Sequence, residues 1–222
     1  MPVHSTTRCH EFGHPEISFE VAELVPPQLA QSFVSGLESM VAAGSVFRPG
    51  EKLQHGWSVV RFQSDGQGGL FLTEPDFSTR PIDFRAGVTE TLVQNMRQVY
   101  TLDSYAVPRE LLDFPTLETT AIICKNFATT KKIGMSRVAP KGNDSGWFFG
   151  CYKKWGCNHQ NASHLESVPL IEAVALRPQI ANWLALPSGV SVILQPGKKP
   201  IVVRDDQELR LIAGSFVDQM TF

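Results

Sequence analysis

The chain has 222 residues, with 20 Lys+Arg against 22 Asp+Glu and a net charge of −2. With 42% hydrophobic and 19% charged residues it has a globular composition, enough for one large domain or two of ordinary size. A general nucleic-acid binder should be basic overall, and no apolar run approaches the ~18 residues of a membrane span, so neither class fits.

The first residues, MPVHSTTRCHEFGH, hold no apolar stretch of the secretory kind. The expectation is a cytoplasmic protein whose cysteines, Cys9, Cys124, Cys151 and Cys157, remain thiols. Residues 26–43 read as a helix that starts at Pro26-Pro27, with Leu29, Phe33, Leu37, Met40 and Val41 on one apolar face and Gly44 as the stop. Trp57–Phe62 and Gly69–Thr73 read as strands joined across the glycine-rich DGQG. Thr89 is placed to cap a second helix that buries Leu92, Val93, Met96, Val99 and Tyr100.

Pro108 to Pro115 mixes prolines with Leu111, Leu112 and Phe114 and reads as a packed connector. Beyond it, Thr119–Lys125, Lys132–Val138 and Trp147–Tyr152 read as strands. Pro169–Leu176 and Pro178–Leu186 read as two short helical segments broken at Arg177-Pro178. Val190–Leu194 and Pro200–Arg204 read as a hairpin, and Asp206–Gly214 as a closing helix. The class is α+β: two small units, residues 1–115 and 116–222, each a mostly antiparallel sheet with packed helices.

Four metal-type ligands, Cys151, Cys157, His159 and His164, fall within fourteen positions. Their spacing does not match the paired knuckles of zinc domains, and a chain of this size can fold without a metal. Ser145 beside Asp144 lacks a nucleophile elbow, and Asp144-Ser145 more simply makes turn hydrogen bonds. Glu74-Pro75-Asp76 offers two acids after a strand, but no third ligand or lysine at fixed spacing. Lys153 and Lys154 lie between Tyr152 and Trp155, a small footprint for single-stranded nucleic acid and a better one for a protein. The expectation is therefore no catalytic residue, no cofactor and no metal. A metal-dependent hydrolase and a regulatory protein-binding scaffold are the alternatives.

Residues from about Thr120 to Asp205 resemble the immunity-protein thirty-three family of bacterial polymorphic toxin systems. Met135-Ser136-Arg137, the Asp144-Ser145-Gly146-Trp147-Phe148-Phe149 block, Leu170-Ile-Glu-Ala, Pro178-Gln-Ile and Leu186-Pro-Ser-Gly189 carry the resemblance. Phe47-Arg48-Pro49-Gly50-Glu51, Gly56-Trp57 and Glu74-Pro75-Asp76-Phe77 look more weakly like a suppressor-of-fused domain. Together they imply a type VI secretion immunity protein, not an enzyme, that neutralises a cognate toxin by stoichiometric binding, with a nuclease as a candidate toxin. A nuclease cleft must be basic to hold phosphates. Residues 1–115 hold 8 basic and 14 acidic residues, a net of −6, against 12 and 8, a net of +4, beyond them. Glu74, Asp76 and Asp83, with Phe77 among them, are thus the expected toxin-facing residues, projecting from a turn without burial, and Trp155 is the competing anchor.

Overall fold

The computed structural model describes residues 1–79, 81–152 and 157–220. The chain divides into two compact units, Met1–Asn95 and Met96–Phe222. Each is built on one mostly antiparallel sheet with helices, the α+β arrangement expected from the sequence.

The first unit contains strands β1 (Val3–Ser5), β2 (Ile17–Glu20), β3 (Lys52–His55), β4 (Ser58–Ser64), β5 (Leu70–Asp76) and β6 (Asp83–Ala86). Their order is β1-β2-β5-β4-β3, with β6 also paired to β5. Among the described residues β2–β5 is the parallel pair of this sheet. The β4–β5 hairpin is the one read from the sequence, and the Asp65 carboxylate ties its loop by accepting the N–H groups of Gln67 and Gly69. Strands β1, β2, β3 and β6 escaped the sequence reading, because three or four residues carry too little alternation to register.

Helix α1 (Pro27–Ala42) starts on the proline that fits a first helical turn, as expected. Its Ala30, Phe33, Val34, Leu37 and Val41 pack in one core with Ile17, Phe19, Val60, Phe62, Leu70 and Leu72. Met40, assigned to that face, instead sits at its rim, 37% exposed.

Helix α2 (Thr89–Asp103) forms where expected, and the division between the units falls within it. Leu92 and Val93 are buried, but Tyr100 is exposed. The residues buried further along are Gln98, Thr101 and Leu102. A pattern of apolar residues passes over Gln98 and Thr101. Both are tolerated inside because Gln98 Nε2 donates to the Ala181 carbonyl and Thr101 Oγ1 to that of Arg97.

The second unit contains β7 (Thr120–Cys124), β8 (Ile133–Arg137), β9 (Asp144–Cys151), β10 (Leu165–Pro169), β11 (Val190–Leu194), β12 (Ile201–Arg204) and β13 (Gln207–Glu208). The order is β10-β7-β9-β8-β11-β12-β13, with β7 and β9 parallel. Helix α3 (Leu170–Leu176) and a 3-10 turn (Pro178–Trp183) follow β10, separated at Arg177-Pro178 as the sequence indicates. The closing helix expected over Asp206–Gly214 does not form. Asp205 and Asp206 take left-handed backbone, φ 51° and 61°, and make a two-residue turn from β12 into β13. Aspartate tolerates that geometry better than most residues. The terminal helix α4 is shorter and later, Phe216–Gln219. Among the described residues no helix is long and apolar enough to cross a membrane.

Candidate functional site

The residues that carry the family resemblance converge on a buried arginine. Arg137, at the end of β8, is 2% exposed. Its Nη1 donates to the carbonyls of Asp113, Leu184 and Leu186, its Nε donates to that of Ser145, and Nη2 lies 3.1 Å from the Asp113 carboxylate. Burial pulls its pKa below the ordinary value, and Asp113 works against that pull. Trp147 Nε1 donates to the Leu184 carbonyl, and Gly189 N–H to that of Arg137. Trp147 and Phe149 are both buried, and their rings stack at 5.6 Å. These motif residues therefore spend their polar groups on one another and hold the second unit together.

Gly146 has φ +77°, and a Cβ there would lie 2.1 Å from the Val138 carbonyl oxygen. It sits where the β7–β9 register steps: Thr120 pairs with Asp144, yet Ile122 pairs with Phe148. A glycine bulge of this kind advances β9 along β7 by two residues.

The β5–β6 hairpin carries the expected toxin-facing residues of the first unit. Glu74 is corrected: it does not project from the surface but is 1% exposed. Its carboxylate accepts the backbone N–H groups of Glu90 (3.1 Å) and Thr91 (2.8 Å), with Arg85 Nη2 at 3.4 Å. Glu74 thus caps α2 from a neighbouring strand, where unpaired N–H groups and the helix dipole favour an anion. Thr89 is not that cap, since its hydroxyl accepts the Ala22 N–H. Sequence spacing suggests a cap only from adjacent residues.

Asp76 and Asp83 stand directly opposite each other across β5 and β6. Asp83 is exposed and Asp76 partly so. Hydrogen bonds from the Ser78 hydroxyl and N–H hold the Asp76 carboxyl below the usual carboxylate range. The Phe77 ring stacks on the buried Trp57 at 5.5 Å. Trp155, the alternative anchor, lies outside the described residues.

The second unit also brings together four metal-type donors. The Sγ atoms of Cys124, Cys151 and Cys157 and a ring nitrogen of His159 all lie within 4.8 Å of one another. Cys151 Sγ is 3.4 Å from His159 Nε2, and the Cys151 N–H donates to Cys124 Sγ at 3.3 Å. The three cysteines are buried free thiols. This set differs from the one read along the sequence. His164 is outside it: its Nδ1 accepts the Asn158 N–H, and its Nε2 lies 3.1 Å from Lys125 Nζ. Its place is taken by Cys124, which comes from β7, the parallel neighbour of β9. Burial first, then the adjacent Cys124 and Cys157 thiols, pushes Cys151 up to about 12.

Residues 97–205 match the family described as the Imm33-like domain. The match takes in the C-terminal residues whose motifs resemble the immunity-protein thirty-three family. No curated protein and no solved structure matches the chain.

Proposed function

We propose that this protein is an immunity protein, a cytoplasmic stoichiometric inhibitor that binds and neutralises a cognate antibacterial toxin. The observation that carries the reading is the Imm33-like match over residues 97–205. In this reading the protein is no enzyme and takes neither membrane nor nucleic acid as partner. In this reading residues 97–205 belong to the immunity domain, and the first unit is a suppressor-of-fused-like domain. The toxin is a nuclease effector of type VI secretion.

The charge distribution supports a basic partner for the first half, whose net charge is −6 over residues 1–115. The Asp76–Asp83 pairing adds to it. Two carboxylates side by side on one hairpin match a cationic partner. Phe77, braced on Trp57, supplies an apolar anchor between them. Glu74 contributes from behind by tying the hairpin to α2. Trp155 is the competing anchor, on the other half of the chain.

The test is co-expression with the product of the neighbouring gene. A one-to-one complex that survives purification, and protection of a sensitive cell from that gene product, are expected. A neighbouring gene product that is toxic yet neither binds nor is neutralised would overturn the proposal.

A further inference from the structure

We infer that Cys124, Cys151, Cys157 and His159 form a structural zinc site. Zinc binds thiolate at about 2.3 Å and imidazole at about 2.0–2.1 Å in a tetrahedron, so its S···N edges measure about 3.5 Å and its S···S edges about 3.8 Å. The Cys151 Sγ to His159 Nε2 distance is already 3.4 Å, and no two of the four donor atoms are more than 4.8 Å apart. Closing the remaining gap takes side-chain adjustments of about an ångström, without backbone rearrangement.

The surroundings fit a metal-bound thiolate. The Cys151 N–H is directed at Cys124 Sγ, and an N–H donor stabilises the charged form of sulfur. Gly150 leaves room for the imidazole, since a Cβ there would lie 3.2 Å from His159 Cε1. The Phe148 ring meets the His159 ring edge-on at 5.1 Å and fixes its plane. The glycine bulge at Gly146 supplies the register. Without that step Thr120 opposite Asp144 would set Cys124 opposite Phe148, leaving Cys151 about two residue rises, some 6–7 Å, further along.

A disulfide would use two of the sulfurs and leave out the third thiol and the imidazole, whereas zinc uses all four. Four protein ligands leave no position for water, so the site is structural and not hydrolytic. It joins β7, the end of β9 and the segment after residue 156. This inference does not rest on the toxin-binding reading.

The test uses the full-length wild-type protein, purified under reducing conditions without added metal. About one equivalent of zinc per chain is expected. Reconstitution with Co(II) should give the intense visible bands of a tetrahedral thiolate site. Cys157→Ser and His159→Ala should each lose most of the metal, while His164→Ala and Cys9→Ser keep it. A chelator should lower the Tm of the wild type and not that of Cys157→Ser. Wild-type protein that neither carries zinc nor gives the cobalt bands overturns the inference whether or not the variants fold. So does the discovery that two of the three thiols are lost to a disulfide, or full metal content in a folded Cys157→Ser variant.

Discussion

Trp147 shows how one side chain joins two kinds of stabilisation. It is 1% exposed, stacks on Phe149, and donates its indole N–H to the Leu184 carbonyl. Trp147→Ala should lose ~3–5 kcal/mol in denaturant unfolding, because the cavity adds to the lost transfer energy. An unchanged midpoint would move Trp147 from the core to the surface. Glu16 gives the fold a point of acid sensitivity. Burial pushes its pKa up, but hydrogen bonds from the Thr6 hydroxyl, the His10 ring and the N–H groups of His10 and Cys9 outweigh that and hold it at about 2, down from 4.5. A depressed carboxylate stabilises the fold above its ordinary pKa, and that contribution is lost as pH falls from about 4.5 towards about 2. The unfolding free energy of Glu16→Gln should therefore fall less steeply than that of the wild type across this window. Parallel curves in a pH series of melts would count against the assignment.

At the scale of elements, a single side chain ties β5 to α2. Glu74 satisfies two first-turn N–H groups of α2. Glu74→Ala leaves both without an acceptor and should cost ~1–3 kcal/mol. Amide exchange should rise first at Glu90 and Thr91. A variant as stable as the wild type would mean that water replaces the cap without loss. The same geometry sets a limit on charge-reversal experiments. Lysine at position 74 would place a buried cation against Arg85 and the positive end of α2, so the hairpin's charge is to be altered at Asp76 and Asp83 alone.

At the scale of the whole molecule, charge distribution governs how fast a partner arrives. Complementary fields act mainly on association and weaken with salt. Asp76→Lys combined with Asp83→Lys should leave folding intact and slow association with a basic toxin several-fold, with a shallower salt dependence. On-rates measured at two ionic strengths check this. An on-rate and salt slope equal to those of the wild type would remove the acidic hairpin from the interface and leave the second unit as the docking surface.

What the sequence determined by itself is local. Prolines at the starts of α1 and the Pro178–Trp183 turn, glycine at position 146 and the alternation of Trp147-Phe148-Phe149 each encode their own backbone geometry within a few residues. These signals are enough to read the α+β class and most of the longer elements. The tertiary structure alone decided which distant residues meet. Glu74 reads as a surface acid after a strand because the α2 N–H groups it caps lie 16 and 17 positions away. The sequence grouped Cys151 with His164 by proximity. The parallel pairing of β7 with β9, stepped by the Gly146 bulge, instead brings in Cys124 from 27 residues upstream. Parallel neighbours are joined by long crossovers, so no spacing in the chain announces their register, and a site built across them becomes visible only once the sheet has formed.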